Sequence, residues 1–189
     1  VSARFVWVAL MSESTSASGS RSGPELESEN SFAELHCLSN FSFLRGASHP
    51  EELVTQASAL GYQALAITDE CTFAGIVRAH VEAKKLNLKL IIGTELALED
   101  GLRFLLLATD RESYGRLSEL ITLARRGAKK GSYRLSREQL EKHFPEDCLA
   151  IWLPSRTAIM NKTNTEQINW INQLFPNNCW IGIGLFRSH

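Results

Sequence analysis

Short, densely apolar runs alternate along the chain with longer runs in which apolar residues recur every three or four positions, and this rhythm begins at Phe32. FAELHCL (32–38) predicts a strand. ASHPEELVTQASALG (47–61) carries helix marks: Ser48 as N-cap, Pro50 near the first turn, acidic Glu51 and Glu52, apolar Leu53, Val54, Ala57 and Leu60, and Gly61 as a stop. ALAIT (64–68) is apolar on both faces, as in a parallel strand covered by helices. The same reading gives a helix in AGIVRAHVEAKKLNL (74–88), a buried strand in KLIIGTEL (89–96) and a fourth strand in RFLLLAT (103–109). Helices are predicted in ESYGRLSELITLARR (112–126) and SREQLEKHF (136–144), a fifth strand in CLAIWL (148–153), a helix in TEQINWINQLF (165–175) and a sixth strand in CWIGIGLF (179–186).

Strands alternating with helices imply βα units joined right-handedly, hence an α/β sheet or barrel. In a barrel, functional groups gather on the loops after the C-terminal ends of the strands. His36 to Arg45, Asp69 with Glu70, Thr94 with Glu95, and Thr109 with Asp110 fall at such ends, so chemistry is sought there.

Composition narrows the class. At 189 residues, 44% hydrophobic and 22% charged, the chain suits one domain or a piece of a larger one. A net charge of −1 gives no global electrostatic reason for nucleic-acid binding. Cys37, Cys71, Cys148 and Cys179 lie far apart without a CxxC pair, which argues against a zinc ribbon or dense disulfide scaffold and points to a reducing cytoplasm. No apolar run approaches the roughly 20 residues a bilayer needs. RFVWVAL (4–10) is too short for a signal peptide, and the Ser-, Gly- and Glu-rich stretch after it cannot bury enough surface to fold. Residues 1–30 are therefore expected to form a disordered leader, an over-extended start with Met11 as the true beginning.

His36 offers an imidazole, and Asp69, Glu70 and Glu95 offer carboxylates, a donor set that suits zinc, manganese or iron better than calcium. The competing reading makes His36 a hydrogen-bonded bystander, Asp69 the cap of its own turn and Glu70 a solvated side chain. His49 beside Pro50, His80 in mid-helix and His143 at a helix end need no function.

ELHCLSNFSFLRGASHPEELV, ALAITDEC and LKLIIGTEL, followed by YRLSREQLEKH and IWLP, closely resemble the N-terminal PHP (polymerase and histidinol phosphatase) domain of bacterial C-family DNA polymerases. The likeness is to the error-prone branch rather than the replicative alpha subunit, and it runs from Phe32 to Pro154 and on toward the end. It implies an α/β fold, a partial distorted (β/α)7 TIM-like barrel over residues 31–189, incomplete at its C-terminus. Active members of that family bind up to three metal ions and hydrolyse phosphoesters, the metals activating water and stabilising charge on phosphate oxygens. Against the family's ligand pattern, His36 matches the first histidine of an HxH motif, but Leu38 replaces the second. Arg45 stands where an acidic ligand precedes Gly46, Glu70 where a histidine follows Thr-Asp, Arg103 where a histidine opens the fourth strand, and Pro154 where a ligand ends the fifth. Glu95 is kept, and the final Asp-x-His pair has no match up to His189. The resemblance thus implies no catalytic residue and a vestigial metal site at His36, Glu70 and Glu95. Arg45 and Arg103 become ion-pair replacements, because a guanidinium stays charged and would bind the carboxylates.

The family's catalytic aspartates, fingers, thumb and clamp-binding region follow this domain, and no paired acidic motif for two-metal nucleotidyl transfer is present in 189 residues. The implied role is a structural segment of an error-prone DNA polymerase, a nucleotidyltransferase of DNA replication, damage-induced translesion synthesis and repair in the cytoplasm. Implied partners are the remaining polymerase domains, DNA through the parent polymerase, the sliding clamp and damage-tolerance accessory proteins, with no membrane. No cofactor is expected in the segment, and magnesium in the parent. The alternative is a metal-dependent phosphoesterase or 3'-5' exonuclease that uses manganese or zinc. The basic cluster ARRGAKKGSYR offers Arg125, Arg126, Lys129, Lys130 and Arg134 to DNA phosphates or to another domain, with a solvated loop as the plainer reading.

Overall fold

The computed structural model describes residues 6–7, 32–154 and 162–184. In chain order the elements are β1 (Val6–Trp7), β2 (Ala33–Cys37), α1 (Pro50–Ala59), β3 (Ala64–Ile67), α2 (Ile76–Leu86), β4 (Lys89–Ala97), β5 (Arg103–Ala108), α3 (Arg111–Arg126), α4 (Arg137–Lys142), β6 (Cys148–Trp152), α5 (Lys162–Leu174), β7 (Cys179–Ile181) and β8 (Ile183–Gly184). Strands β2 to β7 form one six-stranded sheet in sequence order, and β1, within the stretch expected to be a disordered leader, pairs with β8 antiparallel beside it, while the rest of residues 1–30 lies outside the described residues. The sheet curls into a half-barrel with helices on its outer face, the α/β partial barrel that the sequence predicts.

The period-2 pattern assigns each face. On β5, Phe104 and Leu106 point outward into a core with Leu117 and Leu120 of α3, Leu140 of α4 and Ile171 of α5. Leu105 and Leu107 point inward and join Ala66, Ile151, Leu35, Ile91 and Trp180. The outward residues of β3, Leu65 and Ile67, pack on Val54 and Ala57 of α1 and on Ile76, Ala79 and Ala83 of α2. Strand β3 is buried at all four positions, which explains its continuous apolarity. Leu35, Ile91, Leu107, Leu149, Ile151 and Trp180 line an open trough of about 840 Å³ on the concave side. No helix among the described residues is long and apolar enough to cross a membrane.

Two features depart from a simple βα repeat. The β2–β3, β3–β4 and β6–β7 pairs are parallel, but β4–β5 and β5–β6 are antiparallel. Only residues 98–102 join β4 to β5. A parallel return needs a crossover of about a dozen residues or more, so this link must be a hairpin. Leu98 N–H donates to Leu102 C=O at 2.8 Å to close it, and Gly101, at φ 87°, supplies the left-handed turn. The last predicted strand also breaks at Gly182 into β7 and β8, and its tail at 185–186 lies outside the described residues.

Reversing β5 re-sorts the sheet ends. The C-terminal ends of β2, β3, β4 and β6 share one rim with the N-terminal end of β5, where Arg103 lies level with Ala97. Thr109 and Asp110 therefore lie at the opposite end from Glu95, and the expectation that they join the others is corrected by strand direction. Asp110 instead caps α3, accepting Ser113 N–H at 2.7 Å. The cap of α1 likewise moves from Ser48 to His49, whose N–H donates to Glu52 at 2.8 Å.

Candidate functional site

The rim is built around Glu95, near the end of β4 and 1% exposed. Its Oε1 accepts Arg45 Nη1 at 2.9 Å and Arg103 Nε at 3.1 Å, and Arg103 Nη2 also bonds to it. Its Oε2 accepts Arg45 Nη2 at 2.9 Å and lies 2.8 Å from His36 Nε2. An ionised carboxylate only accepts, so His36 carries its proton on Nε2. Arg45 forks further: Nη1 donates to Glu70 Oε2 at 2.6 Å, while Glu70 Oε1 accepts the Tyr133 hydroxyl at 2.9 Å. One guanidinium thus grips Glu95 through two nitrogens and shares one of them with Glu70, the geometry that suits arginine and not lysine.

Arg45 reaches the rim because the β2–α1 loop is held at several points. Asp69 is 1% exposed and accepts Ser39 N–H at 2.7 Å, Ser39 Oγ at 2.6 Å and Ser42 Oγ at 2.7 Å. Ser42 Oγ in turn accepts Glu70 N–H at 2.9 Å. The N–H groups of Arg45 and Gly46 both donate to Ser42 C=O, at 2.9 and 3.0 Å. A Cβ on Gly46 would meet Ser39 C=O oxygen at 2.0 Å, so only glycine fits. Asp69 therefore ties down a neighbouring loop rather than capping its own turn, and Glu70 is bonded rather than solvated.

Electrostatics follow from this packing. Burial would raise the Glu95 pKa, but hydrogen bonds from His36 and Arg45, the His36 charge and the Arg103 hydrogen bond together bring it down to about 2. Burial disfavours the Arg45 charge, yet its bonds to Glu95 and Glu70 outweigh that and hold the guanidinium above its usual range. Burial and the Glu70 charge push the Tyr133 hydroxyl up, so it stays a donor.

A divalent ion would need free lone pairs here, and the donor chemistry does not fit one. Both oxygens of Glu95, both of Glu70 and both of Asp69 already accept hydrogen bonds from the protein, and His36 Nε2 holds a proton. The structure brings His36, Glu70, Glu95, Arg45 and Arg103 into one cluster. Pro154 follows β6 toward the same rim, where Leu153 N–H donates to Arg103 C=O at 2.9 Å. His49 and His143 lie at helix boundaries and His80 is exposed on α2.

The basic cluster divides. Arg125 turns into the fold, donating to the carbonyls of Cys71 and Glu70, each at 3.0 Å, with its guanidinium 5.4 Å from the Tyr133 ring centre. Arg134 pairs with Glu99 at 2.7 Å. Arg126, Lys129 and Lys130 stay exposed. Sequence reasoning missed Tyr133, Ser39 and Ser42 as builders of the site. The serines follow β2 as SNFS, a signal for loop hydroxyls near a carboxylate, whereas nothing local marks Tyr133.

The profile of the PHP domain family matches residues 34–177. An error-prone DNA polymerase of Methylococcus capsulatus is 60% identical over 157 residues, covering 83% of this chain and 14% of that protein. One from Dechloromonas aromatica is 53% identical over 158 residues, covering 82% and 15%. The chain thus spans about one seventh of the length of these curated relatives. Among solved structures, a protein of Bifidobacterium adolescentis described as a metal-dependent phosphoesterase superposes with a TM-score of 0.57 at 16% identity, covering 75% of this chain and 74% of its own. An amidohydrolase from Chromobacterium violaceum gives 0.56 at 16% identity, covering 79% and 75%. These two likenesses concern the fold alone.

Arg45→Ala leaves Glu95 and Glu70 short of their shared cation, so urea unfolding should show a loss of about 3 kcal/mol, the scale of a broken buried pair. Arg103 is 47% exposed, and Arg103→Ala should cost about 1 kcal/mol or less. Equal small effects would contradict the ranking. Because the folded Glu95 pKa lies near 2 against 4.5 for the free group, its stabilisation is present above about pH 4.5 and is lost as pH falls toward 2. A urea series across that window should show an acid loss on the order of 3 kcal/mol that Glu95→Gln removes.

Proposed function

The chain belongs to the PHP domain family and matches error-prone DNA polymerases in that region, and from this premise we propose that it serves as the structural PHP segment of such a polymerase. The observation that carries the reading is 60% identity over 157 residues to a protein of that name. The parent activity is DNA-directed nucleotidyl transfer across damaged template, dependent on magnesium and located in the cytoplasm, with replication and repair as its setting. DNA, the sliding clamp and damage-tolerance accessory proteins are engaged through the parent polymerase, and the domains that follow this segment are its immediate partners. Within the segment His36, Glu70 and Glu95 are remnants of a metal-binding pattern. The guanidiniums of Arg45 and Arg103 supply the positive charge that metal ions would bring, which supports a buttress rather than a hydrolase.

Primer extension tests the reading. The longer polypeptide carrying this segment should extend a primed template with magnesium and copy past an abasic site, whereas the 189-residue chain alone should neither extend a primer nor cleave single-stranded DNA with manganese. Manganese-dependent cleavage by the chain alone, abolished by His36→Ala, would replace this reading with the phosphoesterase alternative.

A further inference from the structure

The loop that delivers Arg45 also carries the two most exposed large apolar side chains among the described residues: Phe43 at 84% and Leu44 at 90%. Their exposure is built in by neighbours on both sides. Ser42, 3% exposed, is fixed to Asp69, Arg45 is fixed to Glu70 and Glu95, and the short span between them must bulge outward. Leu44 adopts φ 60°, a left-handed conformation that branched side chains avoid unless their surroundings impose it. Phe41, 37% exposed, sits at the base of the bulge against Gly75. The result is an apolar knob on a preorganised loop, which loses little conformational freedom when covered.

We infer that Phe43 and Leu44 are the anchor by which this segment docks into an apolar pocket on the remainder of its own polypeptide. This rests on the reading that the chain is part of a longer polymerase. Two observations select that occupant. The relatives are about seven times as long as the matched region, so a tethered partner is at hand. Two side chains are far too small a patch for a stable contact between free proteins, which takes about 1,200 Å² or more, but tethering raises the effective concentration enough for a small anchor to serve. A nucleic acid suits the knob less well. The guanidiniums of Arg45 and Arg103 beside it are bound to Glu70 and Glu95, so they are not free to neutralise phosphates.

Hydroxyl-radical footprinting of the longer polypeptide tests this, with a synthetic peptide spanning residues 38–48 as the unprotected reference. Phe43 and Leu44 should oxidise at least tenfold more slowly in the polypeptide than in the peptide, and a Phe43→Ser, Leu44→Ser double variant should lower the polypeptide's thermal midpoint by several degrees. Rates within twofold of the peptide would overturn the inference. So would protection that fades on dilution, which means a second copy, protection that needs added DNA, or a natural gene product that ends with this chain. Primer extension by the same preparation reads the polymerase assignment separately. An active enzyme with an unprotected knob sinks only the docking, and an inactive one with a protected knob sinks only the polymerase.

Discussion

The buried carboxylate of Glu95 must be neutralised for this rim to exist. Taking an ionised carboxylate out of water costs several kcal/mol unless opposite charge and hydrogen-bond donors meet it. Strand β4 fixes Glu95 between β3 and β5, where it is 1% exposed. The compensating donors come from three other elements: His36 at the end of β2, Arg45 on the following loop and Arg103 at the start of β5. Each must arrive at a set place, so the fold around Glu95 is constrained well beyond its immediate contacts. The Asp69 clamp on Ser39 and Ser42 is one consequence, since a loose loop would present Arg45 too seldom to hold two carboxylates.

Much of this was legible along the chain. The apolar runs marked the six sheet strands, most plainly β3, which is buried at all four positions, and the helical pattern placed α2, α3 and α4 to within two residues at each end, whereas α5 starts three residues earlier than expected. Strand direction was the main gap. The five-residue link at 98–102 was itself decisive, because no crossover helix fits there, yet reading every strand as one more βα repeat hid it. That error moved Thr109 and Asp110 to the wrong end. At the site, the family resemblance pointed to arginines standing opposite Glu70 and Glu95. It could not show that Tyr133, 63 positions from Glu70, closes the cluster, or that Arg125 turns inward, because both depend on how the segment after α3 folds back.

In this half-barrel the guanidiniums of Arg45 and Arg103 and the imidazole of His36 meet the carboxylates of Glu95 and Glu70. Positive charge faces Glu95 and Glu70, and the loop that carries Arg45 is tied to Asp69 through Ser39 and Ser42. The exposed side chains of Phe43 and Leu44 stand on the same loop as Arg45 of this neutralised cluster.

We propose that guanidiniums, not metal ions, neutralise this rim. Elemental analysis of the purified chain, repeated after dialysis against manganese or zinc, tests it most directly. Far less than one equivalent of either metal should be found, with a thermal midpoint unmoved by the ion or by chelator. Stoichiometric metal that stabilises the chain and is lost in His36→Ala would contradict it.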